Sequence, residues 1–268
     1  MLKAKPWEGA ACFLGRDSME NALLIGLSRQ MSLRREMEIV SNNVANINTT
    51  GFKGDTAIFA EHLMPGASAD QFARADRRPS FVVDSSTWHD MSQGPTQQTG
   101  SPLDVAIDGN AFLVVQTPRG ERYTRNGALQ INSTGQLVTS EGFQVLGDGG
   151  AIQFQTTDKE ILIARDGQIS VPDGTRGKLR LVKFDAEQRL LKDGGSTFAA
   201  PQGVQPQQVP PEERHVLQGS LERSNVRGVV EMTRMIEVNR AYTSVATMLQ
   251  NQGEMRKSAV EKLAEVPA

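Results

Sequence analysis

The chain has 268 residues, enough for one large domain or for one modest domain with long appendages. Lys and Arg total 29 against 31 Asp and Glu, a formal net charge of −2, so the sequence carries no electrostatic signature of nucleic-acid binding. Hydrophobic residues make up 38 % and aromatic residues only 5 %. This lean composition favours an elongated molecule that buries surface against its neighbours, or a partly disordered one.

The first residues of the chain carry few signals. Cys12 is the only cysteine, which excludes an internal disulfide and a cysteine cluster for zinc or iron–sulfur. The apolar run at residues 10–14 is too short for a secretory signal, and no longer run exists, so we expect neither a cleaved signal peptide nor direct membrane insertion. Helical spacing begins at Met19, with Glu20 in the first turn. We therefore hypothesise that Met19 is the native initiator and that residues 1–18 are a non-native or wrongly assigned extension.

Residues 19–53 are predicted to form an N-terminal axial helix that ends in a turn. Apolar residues recur at helical spacing in two stripes. The first stripe consists of Leu23, Leu24, Leu27 and Met31, and the second of Leu33, Met37, Val40, Val44 and Ile47. At about 100° per residue, the second stripe lies on roughly the opposite side of the helix from the first. A helix with apolar surface on two sides needs more than one neighbour, which indicates assembly.

The middle of the chain is predicted to be β-rich. Residues 54–100 lose periodicity and indicate an extended, irregular segment with a few short strands. Residues 101–215 are predicted to form an antiparallel β domain, because short apolar runs alternate with turn signals that favour type I′ hairpins. These signals are Asp108-Gly109, Asn126-Gly127, Asp148-Gly149, Asp166-Gly167, Asp173-Gly174 and Asp193-Gly194.

Residues 216–268 are predicted to form a C-terminal axial helix, for which Ser224 and Asn225 offer an N-cap. A coiled-coil-like seam follows steps of three and four through Met232, Met235, Val238, Tyr242, Val245 and Leu249. The predicted fold class is therefore α+β and mainly β. A central antiparallel β domain is flanked by terminal helices that form a coiled-coil-like layer.

No pattern for catalysis or metal binding stands out. His62, His89 and His215 are widely spaced and lack partners at ligand spacing. Neither a nucleophile elbow nor a phosphate-binding loop occurs in the sequence. We therefore expect a protein that is not an enzyme and that needs no cofactor or metal.

Three stretches resemble the flagellar rod and hook axial proteins, in the order that this family has them. Residues 41–53, SNNVANINTTGFK, resemble the N-terminal signature, and residues 221–242 resemble the C-terminal signature. Residues 100–147 between them are similar to the shared β-domain motif. The length and the single β domain resemble the proximal rod type, with the distal rod type as the nearest alternative. A hook protein is disfavoured because it normally carries an additional outer domain.

The resemblance implies a structural subunit of the bacterial flagellar basal-body rod. Such a subunit assembles with itself and with other rod subunits into the torque-transmitting shaft that crosses the periplasm. It is exported through the flagellar type III apparatus without a cleaved signal peptide. Two alternatives from other classes remain: a non-catalytic binding or adhesin-like module, and a hydrolase that cleaves the cell wall.

The assembly interface is predicted from the apolar stripes and from the two signatures. Its residues are Leu27, Met31, Met37, Val40, Asn42, Asn43, Val44, Asn46, Gly51, Phe52, Ser224, Asn225, Val226, Glu231, Met232, Met235, Ile236, Arg240, Tyr242, Val245 and Leu249. The amides of Asn42, Asn43 and Asn46 could fix the register between subunits, or could simply end the helix. Glu231 and Arg234 are predicted as an i, i+3 pair, either on a solvated face or at an interface.

Overall fold

The computed structural model describes residues 14–63, 80–158 and 160–264, with side chains for residues 23–58, 87–158, 160–262 and 264. The chain divides into two compact units. The first unit contains the described parts of residues 14–41, 56–87 and 232–264, and the second contains residues 42–55 and 88–231.

The described residues form a long helix at each end of the chain with strands between them. The helices are α1, Leu14–Ala45, and α2, Gly228–Ala264. The strands are β1 Asp55–Leu63, β2 Ser80–His89, β3 Thr96–Gln98, β4 Val105–Asp108, β5 Phe112–Thr117, β6 Gly120–Thr124, β7 Leu129–Ile131, β8 Leu137–Thr139, β9 Gln144–Gly147, β10 Gly150–Ala151, β11 Leu162–Ile163, β12 Gln168–Val171, β13 Gly174–Lys178, β14 Leu181–Lys183, β15 Leu191–Lys192, β16 Thr197–Ala199, β17 Gln207–Gln208, β18 His215–Gln218 and β19 Ser220–Glu222. Short 3₁₀ turns lie at Glu187–Arg189 and Pro211–Glu213. This order confirms the predicted α+β class.

The first unit contains most of both helices, which run antiparallel. Arg234 of α2 binds Glu36 of α1, with Nη2 and Oε1 2.9 Å apart. A Cβ placed on Gly26 would lie 2.7 Å from a methyl carbon of Leu249, so the two helices approach closely there. No proline interrupts either helix. Helix α1 begins at Leu14, five residues before the predicted start at Met19, while residues 1–13 of the proposed extension lie outside the described residues.

The segment predicted as irregular, residues 54–100, contains three strands. β1 and β2 pair with each other and are 9 and 10 residues long, longer than the short strands predicted. β3 pairs with β19. Gly94 and Pro95 lie outside these strands, as expected for residues that weaken or end a β-ladder.

The second unit is built on a large antiparallel sheet. Its strand order is β15-β16-β6-β5-β9-β8-β7, with β10, β14 and β17 attached beside it. Smaller sheets are formed by β11-β12-β13, β18-β4 and β19-β3. The central strand β5 pairs with β6, β9 and β14. The antiparallel β domain predicted from the short runs and turn signals is therefore present.

Strand β5 shows why the second unit needs so many apolar residues in the middle of the chain. Leu113 and Val115 lie in one hydrophobic core, and Phe112 and Val114 lie in another. All four side chains are fully buried. Alternate residues of a strand point to opposite faces, so the continuous run FLVV serves two cores at once.

Five of the six turn signals mark turns or bends, but not of the predicted type, and Asn126-Gly127 lies in an extended connection between β6 and β7. Type I′ turns require positive φ at both central residues, and within the described residues only glycines have positive φ. Where Asp166 precedes Gly167, the Gly167 N–H donates to the Ala164 carbonyl (2.9 Å) and Gly167 has φ +83°. This is a type I turn closed by a left-handed glycine. The prediction was wrong because the left-handed conformation costs any residue with a Cβ about 1–2 kcal/mol, and this turn places only its glycine there.

The predicted boundary of the C-terminal helix also needs correction. Strands β18 and β19 continue the β structure to Glu222, and α2 begins only at Gly228. Ser224 and Asn225 therefore do not cap this helix. The Asn225 side chain binds elsewhere in the second unit, where its Oδ1 accepts a hydrogen bond from the Gly54 N–H at 2.8 Å.

Candidate assembly interface

One face of α1 in the first unit is apolar and exposed. Leu24, Leu27 and Met31 are 48 %, 45 % and 66 % exposed. Their spacing of three and four places them on one side of the helix, at about 100° per residue. Leu33 and Val40 of the second stripe are 2 % and 1 % exposed. One of the two opposed stripes is therefore covered by this chain, and the other is open.

Helix α2 has the same division in the first unit. In the predicted seam, Val238 is buried, and four further residues have intermediate exposure: Met235, Tyr242, Val245 and Leu249. The side away from the seam carries exposed apolar residues instead. They are Met232, Ile236, Met248 and Met255, each more than half exposed. Met232, predicted to extend the seam, lies toward this outer side.

We call these seven exposed side chains of the first unit the outer apolar face. They are Leu24, Leu27 and Met31 on α1 and Met232, Ile236, Met248 and Met255 on α2. Large exposed apolar areas are uncommon on monomeric soluble proteins and mark interaction sites. Fully burying a Leu, Ile or Met side chain stabilises by about 1.5–3 kcal/mol. A partner that covers several of these side chains thus gains substantial free energy.

In the second unit, the two signatures meet in a buried ionic cluster. Lys53 Nζ lies 2.6 Å from Glu222 Oε1, and Arg125 Nη1 lies 3.2 Å from Glu222 Oε2. All three side chains are 1 % exposed. Lys53 also donates to the Ser92 carbonyl at 2.7 Å. Burial lowers the pKa of the Lys53 ammonium, and the Glu222 carboxylate offsets only part of that effect.

A second ionic group surrounds Asp55. His89 Nδ1 lies 2.7 Å from Asp55 Oδ1, and Lys192 Nζ lies 3.0 Å from Asp55 Oδ2. Lys192 also stacks over the Phe52 ring, 3.7 Å from its centroid. Burial alone would raise the pKa of Asp55, but the hydrogen bond from His89 and the charge of Lys192 outweigh it and lower the pKa. The carboxylate is thus held ionised.

Asparagine side chains complete the connection. Asn43 Nδ2 donates to the Asp55 carbonyl at 2.8 Å, and the Asp55 N–H donates to Asn43 Oδ1 at 2.9 Å. Asn43 Nδ2 also lies 3.3 Å from Glu231 Oε2 on α2. We call the set of residues 42–55, 88–95 and 222–231 the junction, because these hydrogen bonds and ion pairs join the two signatures there.

The structure separates the predicted interface residues by exposure. In the first unit the exposed ones are Leu27, Met31, Met232, Ile236 and Arg240; the intermediate ones are Met37, Met235, Tyr242, Val245 and Leu249; and Val40 is buried. In the second unit Asn42 is exposed; Val44, Asn46, Asn225, Val226 and Glu231 are intermediate; and Asn43, Gly51, Phe52 and Ser224 are buried. The exposed members are available to another subunit, while the buried ones pack within the chain.

The charges predicted to pair along α2 have other partners. Arg234 binds Glu36 of α1, and Glu231 accepts from Asn43. The i, i+3 spacing therefore named the wrong partner for each residue. Sequence reasoning also missed the roles of Arg125 and Glu222, because local spacing gives no indication of ion pairs between residues about a hundred positions apart.

Metal binding and membrane crossing find no support in the described part of the chain. Among the residues whose side chains are described, no group of three or more His, Cys, Asp or Glu is placed to hold a metal ion. Neither described helix combines the length and apolarity that crossing a membrane requires. The side chain of His62 lies outside the described set.

Three family models match the chain in the order in which the motifs occur. Residues 23–53 match the family described as flagella basal body rod protein. Residues 106–171 match the flagellar hook protein FlgE/F/G D1 domain, and residues 217–261 match the flagellar basal body rod FlgEFG protein C-terminal. The matched regions contain most of the two helices and much of the β unit.

Full-length relatives agree with these matches. The flagellar basal-body rod protein FlgF of Caulobacter vibrioides is 42 % identical over 250 residues, which cover 92 % of this chain and 100 % of that protein. The FlgF protein of Mesorhizobium japonicum is 32 % identical over 251 residues, covering 91 % and 98 %. The flagellar basal-body rod protein FlgG of Bacillus subtilis is 29 % identical over 262 residues, covering 90 % and 98 %.

Proposed function

The chain belongs to the flagellar basal-body rod protein family, and from that premise we propose that it enters the rod through its outer apolar face. It is a structural subunit of the flagellar basal body that assembles with other rod subunits. The FlgF relative of Caulobacter vibrioides shares more identity with it than the FlgG relative does, and the proximal rod assignment stands.

The observation that carries the proposal is the exposure of large apolar side chains on both helices. Met31 and Ile236 are 66 % and 53 % exposed although both are large and apolar. In a rod, helices of neighbouring copies or of other rod subunits would cover them. Burying each such side chain stabilises the assembly by about 1.5–3 kcal/mol. Helices depend on contacts of this kind, because isolated helices have little stability of their own in water.

The proposal has two further parts that rest on family membership. The subunit leaves the cytoplasm through the flagellar type III export apparatus. It then takes its place in the part of the rod that crosses the periplasm. Neither step requires a catalytic residue or a cofactor from this chain.

Replacement of Met31 tests the role of the outer apolar face. Met31→Asp places a charge on an exposed position, so the free energy of unfolding of the isolated chain should change by no more than about 0.5 kcal/mol. Incorporation into purified basal bodies should nevertheless fall sharply, since burying an unpaired charge at a subunit contact is costly. Met31→Leu is the matched control and should incorporate normally.

Both results are read by immunoblotting basal bodies from cells that express each variant in place of the parent chain. Equal incorporation of the Asp and Leu variants would overturn the assignment of this face. If neither the parent chain nor any variant were found in basal bodies, the result would instead favour the alternative of a non-catalytic binding module.

A further inference from the structure

Of the three asparagines predicted to lie at the interface, only Asn43 is hydrogen-bonded to the first turn of α2 as well as to the chain that follows α1. Its side chain is 2 % exposed. By contrast, Asn42 is exposed. The Asn46 amide donates to the Asn42 carbonyl at 2.8 Å and accepts from Thr49 at 3.0 Å, both within the turn that ends α1.

The Asn43 side chain is held at two points by the backbone of one residue. It donates to the Asp55 carbonyl and accepts from the Asp55 N–H, at 2.8 Å and 2.9 Å. A pair of this kind allows one rotation of the helix about its axis and one position along it, because both bonds require the planar amide in a single orientation. Asp55 is itself fixed by His89 and Lys192.

The same amide also reaches the first turn of α2. Asn43 Nδ2 lies 3.3 Å from Glu231 Oε2. Next to this contact, a Cβ on Gly228 would lie 3.1 Å from Ile47 Cδ1. The ends of the two helices within the second unit are therefore matched residue to residue, by one polar contact and one close apolar approach.

We propose that Asn43 is a positioning residue that sets the register of the two terminal helices where they leave the junction, and that this register is fixed within each chain before another subunit binds. Asn43 is 2 % exposed within its own chain, and both ends of its amide are already bonded to Asp55 there. The role differs from register fixing between subunits, for which a side chain must be accessible to a neighbour. The inference rests on the proposed function only for what the helices do afterwards.

Disulfide formation in the isolated full-length chain can report the register. In a Cys12→Ser background, Ile47→Cys with Gly228→Cys places two thiols at the close approach. Ile47→Cys with Val229→Cys is the matched reporter for a wrong register, since Val229 is 82 % exposed. With Asn43 present, the first pair should oxidise at least about tenfold faster than the second, because thiols that cannot approach cannot bridge.

A swap of the polar groups distinguishes register setting from general stability. Asn43→Asp removes the donor to Asp55 and sets a carboxylate against Glu231, so the rate preference should fall by about tenfold, the effect of one lost hydrogen bond to a charged group. Adding Glu231→Gln supplies a donor from α2 and should restore part of the preference. Asn42→Asp, at the neighbouring exposed position, should leave it unchanged.

Several outcomes would overturn the inference. These are an unchanged preference in Asn43→Asp, no recovery in the double variant, or an equal effect of Asn42→Asp.

If near-ultraviolet circular dichroism shows that Asn43→Asp does not fold, the single variant Glu231→Gln tests the inference instead, because it leaves both bonds to Asp55 in place. It should lower the preference without changing the circular dichroism, and no change in preference would count against the inference. Failure of the parent chain to enter basal bodies would contradict the proposed function but would leave this measurement valid.

Discussion

Lys53 and Glu222, 169 positions apart in the chain, form an ion pair of 2.6 Å in which both side chains are 1 % exposed. One belongs to the N-terminal signature and the other to the last strand before α2. Glu222 also accepts from Arg125 and from the Gly94 N–H, at 3.2 Å and 3.0 Å. A single carboxylate thus pairs with two buried cations and satisfies a backbone donor.

Glu222→Gln should therefore destabilise the chain strongly. It removes the carboxylate that pairs with both the buried Lys53 ammonium and the buried Arg125 guanidinium. Removing one member of a buried ion pair costs about 3–5 kcal/mol. Lys53→Met should cost less, because Glu222 keeps Arg125. Urea unfolding of the full-length chain, followed by near-ultraviolet circular dichroism, measures both.

The exposed pair of Lys183 and Glu213 provides the control for this series. Its side chains are 36 % and 56 % exposed. Lys183→Met should change the free energy of unfolding by no more than about 1 kcal/mol, as is usual for solvent-screened pairs. A smaller effect for Glu222→Gln than for Lys53→Met would contradict the central role given to Glu222.

Asp55 should make stability depend on pH in the acid range. Its pKa in the folded chain is lowered from the ordinary value of 3.8, so the unfolded chain binds a proton more readily than the folded one. The stabilisation is then fully present above about pH 5, and it is lost as the pH falls below 4 and through the folded pKa. His89 and Lys192 are the partners that lose a charged acceptor on protonation.

Asp55→Asn isolates this contribution. The parent chain should be more stable than the variant at pH 6, and the difference should shrink as the pH is lowered toward 2.5, because protonation of Asp55 removes its charge. The other carboxylates titrate in both proteins and cancel. Unfolding free energies measured across this range give the difference curve. A difference that stayed constant with pH would contradict the assignment.

The sequence predicts those features of the fold that depend on local pattern. Periodicity predicts the stripe of Leu33 and Val40, the seam through Val238, and the β domain. In the structure these three side chains are buried and the β domain is present. Most turn positions also follow from the Asp-Gly signals, with Asn126-Gly127 as the exception. The exposure of Leu27 and Met31 fits the prediction of a helix with two apolar sides.

Features that depend on distant partners could not be predicted. Nothing near Lys53 in sequence indicates that its ammonium is buried against Glu222, since a lysine after a phenylalanine is usually exposed. The hydrogen-bond partners of Asn43 could not be predicted from the sequence for the same reason. Its amide could serve a filament contact or an internal one, and only the position of Asp55 in space decides where its hydrogen bonds go.

Gly51 should be intolerant of a side chain for two separate reasons. It has φ +65°, and an added Cβ would collide with the backbone of Arg125 and Asn126. Left-handed backbone alone costs an alanine about 1–2 kcal/mol, and the collision adds to that. Gly51→Ala should therefore lower the free energy of unfolding by more than about 2 kcal/mol.

Two other glycines separate the backbone effect from the collision. Gly109 has φ +90° but faces open space, so Gly109→Ala should show the conformational cost alone. Gly149 has neither constraint, and Gly149→Ala should be close to neutral. Thermal unfolding of the three variants should rank Gly51→Ala lowest. Equal melting temperatures for Gly51→Ala and Gly109→Ala would show that the close approach to Arg125 does not matter.

Leu249→Asp tests the seam between the helices of the first unit. Leu249 lies against Gly26 of α1, where an added Cβ would be 2.7 Å from its methyl carbon. A carboxylate in this seam loses hydration without gaining a partner, which costs several kcal/mol. The helix pair should separate and swimming motility should be lost, as is also expected for Met235→Asp. Leu249→Met keeps an apolar side chain of similar volume and should support swimming.

The second unit provides an internal check on that result. The described residues of its two cores all belong to the second unit itself, so the near-ultraviolet signal of its aromatic residues should persist in Leu249→Asp. Loss of motility with this signal intact would place the defect in the helix pair. Normal swimming of Leu249→Asp would show that the seam is dispensable, and loss of the aromatic signal would show that the two units do not fold independently.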